Sequence, residues 1–197
     1  MKLWYSKTSP YARKAIVTLR HHHLEQKVSL LETTMAFDAK APHNVDNPLG
    51  RIPAFQTDSG QWLYGSYLIA DYLDHFGQNS PLIPSSKSRL ADGILENAMI
   101  VVAERMMRKE SDWWHSRQEQ LLERCLRSFA QLEKDLDAFE DDLNMGTLTA
   151  VCLVDWWLLR QSVLGVNLED EHPFLIKWAA QMNQRYPELA DSWAPLA

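Results

Sequence analysis

Cysteine is scarce. Cys125 and Cys152 are the two in 197 residues, and neither sits in a CxxC or other metal-ligand spacing. That argues against a disulfide framework and a redox motif, and buried, reduced thiols acting as small hydrophobes are expected instead. Long apolar runs are missing too: no stretch approaches the ~20 residues that span a bilayer, and no basic-then-apolar leader precedes the first strand pattern. A soluble, cytoplasmic chain with no membrane partner is expected. Positive charge is also short, since 20 Lys and Arg face 26 Asp and Glu for a net −6, without a basic block to track phosphates. Nucleic acid is therefore not an expected partner. What remains is a globular chain, 46% apolar and 23% charged, with bulk for one large core or two small ones.

Up to about residue 77 the apolar pattern changes period repeatedly, whereas beyond residue 87 it is helical almost throughout. Two domains are expected, 1–77 and 87–197, joined by a linker over 78–86 that is rich in turn formers. Lys2 to Tyr5 reads as a strand, Ser6 to Ser9 as a turn, and Pro10 opens a helix running to about His21. Gln26 to Leu31 reads as a second strand, and Thr33 to Pro48 as a stretch with a short irregular helix. Ala54 to Thr57 and Trp62 to Tyr64, joined by Asp58-Ser59-Gly60, form an antiparallel hairpin, after which Ser66 caps a helix reaching Phe76. A βαβ unit followed by ββα gives a four-stranded mixed sheet of thioredoxin-like topology. In the second half, Leu121, Cys125, Phe129, Leu132, Leu136, Phe139 and Leu143 mark one face of a long helix. Lys87–Arg108, Thr147–Leu164 and Pro173–Tyr186 follow suit, so an all-α bundle is expected.

Three features can carry chemistry. Ser9 stands between strand and helix, before Pro10, as an N-cap or as an anion and thiolate site at the positive end of the helix. Ile52-Pro53 heads a strand behind Gly50 and Arg51; a cis bond there turns the Ile52 backbone outward to pair with an extended peptide ligand. Gly65-Ser66 offers a hydroxyl and backbone N–H groups at a helix start, suited to a carboxylate or to an ordinary cap. All three fall at strand ends on one edge of the predicted sheet, where open-sheet ligand sites gather.

At these residues the sequence resembles the glutathione S-transferase family: YSKTSPYARK over Tyr5–Lys14, NPLGRIPAF over Asn47–Phe55, and YGSYLIADYL over Tyr64–Leu73. ADGIL near Ala91, the Trp114 to Gln118 spacing, HPFLIKW from His172 and RYP from Arg185 resemble the helical domain of bacterial members, so the resemblance spans essentially the whole chain. It implies that Ser9 supplies the catalytic hydroxyl; a serine cannot form the mixed disulfide of the family's cysteine-type relatives. It also implies a cis Pro53, an Ile52 backbone paired with the cysteinyl part of glutathione, Ser66 on the γ-glutamyl carboxylate and Arg51 reaching a glutathione carboxylate. Gly65 replaces the acidic residue that usually meets the tripeptide's amino group. Ala150 replaces the aspartate of a helix-capping box begun at Thr147.

The activity so implied is conjugation of the glutathione thiolate, glutathione being the co-substrate, to small hydrophobic electrophiles. Ser9 and the helix N-terminus stabilise the thiolate. A non-catalytic binding protein on the same fold, or a glutathione-dependent isomerase or lyase, are the alternatives. Tyr11, Val102, Arg105 and Met106 are expected to line the electrophile pocket, and the resemblance implies a homodimer. No metal is expected: the histidines 21–23 project in different directions and read as a solvated helix C-terminus. Of each pair Trp113-Trp114 and Trp156-Trp157, one ring is expected inward and its neighbour at the pocket or a subunit interface.

Overall fold

The computed structural model describes residues 1–34, 37–83, 90–139 and 142–192. Short apolar runs build β1 (Lys2–Tyr5), β2 (Ser29–Glu32), β3 (Ala54–Gln56) and β4 (Trp62–Tyr64), paired in the order β2-β1-β3-β4. β1 and β2 are parallel, and the other two pairings antiparallel. α1 (Pro10–His21) makes the crossover between the parallel strands, and α2 (Ser66–Phe76) follows the hairpin. Leu3 and Phe55 of the sheet are buried against Ala15, Ile16 and Leu19 of α1 and Ile69 and Leu73 of α2. The second strand is shorter than expected because Glu25–Lys27 forms a 3-10 turn, and within 33–48 the helical piece is a 3-10 turn over Pro42–Val45.

The remainder is helical: α3 (Leu90–Met107), α4 (His115–Lys134), α5 (Met145–Leu164), α6 (Leu168–Glu171), α7 (Pro173–Arg185) and α8 (Pro187–Ala190). Part of the expected linker, and the start of the helix expected from Lys87, lie outside the described residues. The stripe from Leu121 to Leu143 is not one helix. α4 ends at Lys134, where Asp135 accepts the Gln131 side-chain amide at 2.8 Å, and a 3-10 turn over Leu136–Phe139 carries Phe139 on into the core. α5 starts earlier than expected. Asn144 is its cap, accepting from the Gly146 and Thr147 N–H groups at 2.9 and 3.2 Å, while Thr147 Oγ1 accepts the Asn144 N–H at 2.9 Å. The box is complete, with Thr147 as its third-position partner rather than its start, so Ala150 vacates no capping role.

From Met145 to Trp157 α5 is enclosed on every side, and both Trp156 and Trp157 are buried in the core, contrary to the expected split. In the other pair Trp113 is half-buried and Trp114 exposed. The His21–His23 stretch is not fully solvated either. His22 is buried with Nε2 2.6 Å from Asp74 Oδ1, and Asp74 Oδ2 accepts the Ile83 N–H at 2.8 Å, tying α1, α2 and the chain beyond them together. A side chain on Gly77 would overlap the His22 imidazole, which is why glycine ends α2.

α1 is the shared element. Val17 of α1 and Ala70 of α2 belong to the helical core, and two cations of α1 are buried with them. Arg13, 1% exposed, sets Nη1 2.6 Å from Asp155 Oδ2, donates to Ser192 Oγ at 2.9 Å, and donates through Nη2 to Asn183 Oδ1 at 3.1 Å and the Leu189 carbonyl at 3.0 Å. Lys14 Nζ lies 2.5 Å from Asp92 Oδ1 of α3. Removing one member of such a buried pair strands the other charge. Asp155→Ala is accordingly expected to lower unfolding free energy by about 3–5 kcal/mol in urea titrations.

Burial pushes the Cys125 thiol up to about 12 and the Cys152 thiol to about 11. Both side chains are inaccessible, so a disulfide-exchange reagent at pH about 8 is expected to label neither in the folded protein and both after denaturation.

Candidate functional site

The sheet register gathers the site. Trp4 lies opposite Ala54, and Ala54 opposite Tyr64, so the next residue out in each strand direction is Tyr5, Pro53 and Gly65, side by side at one edge. β1 leaves this edge into the turn ending at Ser9, and α2 begins there at Ser66. Ser9, Ile52, Pro53, Gly65 and Ser66 thus converge from three separate chain segments.

Ser9 is the N-cap of α1, extended at φ −85° and ψ 116°, and its Oγ accepts the Ala12 N–H at 3.1 Å. One lone pair is used. The hydroxyl proton is taken by no described residue, so it can be donated outward along the axis of a twelve-residue helix whose first turn holds no acidic side chain.

The Ile52–Pro53 peptide is cis. Among the described residues neither the Ile52 N–H nor its C=O is hydrogen-bonded. The loop carrying it is held by a residue not singled out from sequence. Asn47, 1% exposed, donates from Nδ2 to the Arg51 carbonyl at 2.5 Å, accepts the Leu49 N–H at 2.9 Å, and bonds by its own N–H to the His43 carbonyl at 2.8 Å. Asp46 beside it accepts Trp4 Nε1 at 2.7 Å and, through its carbonyl, the Tyr64 hydroxyl at 3.0 Å. The Asn-Pro pair at 47–48 was the available signal for a turn; the long-range contacts of Asp46 left none.

Gly65, not Ser66, caps α2, and no side-chain hydrogen bond closes this cap. Ser66 is buried at the first helical position, and its hydroxyl meets no partner among the described residues. Gly65 adopts φ 96° and ψ 128°, a region side chains rarely enter, although nothing lies within 4 Å of where its Cβ would be. A glutamate there has room but not the backbone freedom.

Tyr11, two residues beyond Ser9, packs its ring on the helical core with Lys14 Nζ 5.2 Å from the ring centroid. Burial first, then the Glu96 and Asp92 carboxylates of α3, push its phenol well above the ordinary range, with Arg51 opposing them. Arg51 is exposed on the loop. The other three expected pocket residues are not gathered here. Val102 is 1% exposed inside the helical core, Met106 is exposed, and Arg105 is spent on Gln118 Oε1 at 2.7 Å and the Val163 carbonyl at 2.8 Å. Arg105 is nine residues beyond Glu96, about 14 Å along α3. Among the described residues no group of three or more His, Cys, Asp or Glu is placed to hold a metal, and no helix is long and apolar enough to cross a membrane.

Residues 8–75 match the family model described as the glutathione S-transferase N-terminal domain. Over the full length, a glutathione transferase family member from Pseudomonas fluorescens Pf-5, solved with bound glutathione, superposes with a TM-score of 0.88 at 29% identity, covering 99% of each chain. The chain is thus similar to glutathione S-transferases along its length, and over residues 8–75 to their N-terminal domain. A glutathione S-transferase from Methylobacillus flagellatus KT with glutathione bound is 27% identical over 98% of each chain, with a TM-score of 0.84. The uncharacterized GST-like protein YibF of Escherichia coli (strain K12) is 27% identical over 202 residues, 94% of this chain and 95% of its own. Glutathione S-transferase architecture, a four-stranded mixed sheet with a largely helical remainder, is therefore what the chain builds.

Gly65→Ala is expected to cost about 1–3 kcal/mol in denaturant unfolding, because φ 96° must be kept to hold the strand-to-helix turn. An alanine variant as stable as the parent would mean that the turn relaxes.

Proposed function

We propose that this protein is a glutathione transferase that stabilises the glutathione thiolate with Ser9 and presents it to a small electrophile. The observation that carries the reading is the Ser9 hydroxyl: its oxygen is fixed by the Ala12 N–H, while its proton is uncommitted at a helix N-terminus. Bound glutathione in the structures of the Pseudomonas and Methylobacillus family members supports taking glutathione as the co-substrate. The unpaired Ile52 backbone suits the cysteinyl peptide, and the Ser66 hydroxyl suits the γ-glutamyl carboxylate. Arg51, exposed on the same loop, reaches toward a second carboxylate. No metal is called for, and the protein works as a cytoplasmic homodimer on this reading.

A free thiol titrates near about 8.5, so at neutral pH only a few per cent is thiolate. Lowering that by about two units corresponds to roughly 2.7 kcal/mol. One charge-assisted hydrogen bond of about 1.5–3 kcal/mol, with about 0.3–1 kcal/mol from the helix terminus, suffices. The sulfur then attacks carbon without a general base. Among the gathered groups Tyr11 lines the electrophile side; Val102 and Arg105, committed elsewhere, play no part in it.

Gly65 favours a second reading, a binding protein without transferase activity, because no side chain at that position can pair with the tripeptide's amino group. Calorimetry with glutathione at millimolar supply, followed by conjugation of a generic aromatic electrophile, separates the two. The transferase reading expects heat of binding and turnover. Binding without turnover leaves the second reading, and no binding removes both. Ser9→Ala, checked for fold by circular dichroism because it also removes a cap, is expected to raise the pH midpoint of conjugation by about two units and to lower the neutral-pH rate up to about 10²-fold. An unchanged pH profile would take Ser9 out of the mechanism.

A further inference from the structure

Four strand ends meet at the edge of the sheet that gathers the site, in the order Glu32, Tyr5, Pro53 and Gly65. Glu32 is the acidic member, and it stands three strand spacings from Gly65, about 14 Å away. It is also engaged, with Oε2 accepting the Tyr5 hydroxyl at 3.2 Å and Oε1 3.4 Å from Lys7 Nζ. Asp46, on the loop before Ile52, accepts Trp4 Nε1 at 2.7 Å through Oδ2. On α2 the first turn holds no acidic residue, and Asp71 comes five residues after Ser66, about 7.5 Å along the axis.

What the Gly65 corner offers is donors. Ser66 is 7% exposed with its hydroxyl unpartnered among the described residues, at the N-terminus of an eleven-residue helix that Gly65 caps without a side chain. Arg51 is exposed two residues before Pro53. Nothing lies within 4 Å of where a Gly65 Cβ would be, so the corner is open as well. A carboxylate is stabilised in such surroundings. An ammonium is not, because it finds no acceptor among these groups and the positive end of the helix opposes it. At the γ-glutamyl end of glutathione the two sit on one carbon, so seating the carboxylate at Ser66 carries the ammonium to the same corner.

Resting on the transferase reading above, we infer that Gly65 sets the specificity of this site: the γ-glutamyl end is recognised as a carboxylate, and its ammonium is not recognised. The co-substrate class is therefore wider than glutathione. It takes in thiol peptides that keep the terminal carboxylate and lack a free ammonium beside it, as after deamination or acylation of that nitrogen. Such ligands carry one more net negative charge than glutathione, which the donors at this corner favour. A carboxylate side chain at position 65 would turn the preference back, since its charge-assisted bond is made to the ammonium and is lost with it.

The probe is γ-glutaryl-cysteinylglycine, which is glutathione with hydrogen in place of the ammonium. It is titrated calorimetrically beside glutathione into the unmodified protein at pH about 6.5, where the ammonium is charged. The analogue is expected to bind within about threefold of glutathione, or more tightly. Any larger loss, toward the about 10–10²-fold of a deleted charge-assisted hydrogen bond, would overturn the inference while leaving the transferase reading in place. Aspartate is among the side chains that best tolerate positive φ, so Gly65→Asp is taken through the same pair of titrations. It is expected to shift the ratio of the two Kd values about 10-fold toward glutathione, and an unmoved ratio in the folded variant would overturn the assignment to Gly65. If neither ligand binds the unmodified protein, the transferase reading falls and takes the inference with it.

Discussion

The N-terminus of α1 has to be aimed, and the Arg13–Asp155 pair is what aims it. An α-helix whose side chains were apolar all round could slide or rotate between two cores at small cost. Two cations one residue apart, each pinned to a carboxylate on a different helix of the remainder, cannot. Arg13 anchors α1 to α5 and to the chain around α8, and Lys14 anchors it to α3. Ser9 sits one turn before them. The placement of its hydroxyl is inherited from these contacts one turn along the helix, so the helical remainder helps to position the site.

The same anchoring leaves a set of donors at one edge of the sheet. On the sheet side are the unpaired Ile52 backbone, the Ser66 hydroxyl, the exposed Arg51 and the positive end of α1, a set of donors suited to an anionic tripeptide. On α3, Asp92 is paired with Lys14. Asn47 and Asp46 hold the loop wall to the sheet by side-chain hydrogen bonds, which gives it the stiffness of a strand without being one.

Local chemistry made much of this legible. Ser9-Pro10, the hairpin turn at Asp58–Gly60 and the short apolar runs announce themselves within a few residues, and β1, the hairpin and the first two helices fall where those signals put them, β2 alone starting later. What was not legible depended on partners distant in sequence. The burial of Arg13 and Lys14 left no local signal because the carboxylates that pair with them are more than seventy positions away. Trp156 and Trp157 were divided between the core and a pocket or subunit interface because helical geometry sends neighbours to different faces, and α5 is buried on all of them as far as Trp157. The capping box shifted by three positions because a threonine serves equally as cap or as the cap's partner; Asn144 ahead of it decides. Val102 and Arg105 are residues of suitable type whose helix turns them into the core or toward α4 and α5.

The central claim is that a helix N-terminus and one uncommitted hydroxyl proton hold a thiolate. Titrating the ultraviolet absorbance of the thiolate in the glutathione complex of the unmodified protein tests it directly. The account predicts a midpoint near about 6.5, some two units below that of the free thiol. A midpoint for bound glutathione equal to that of glutathione in solution would contradict it.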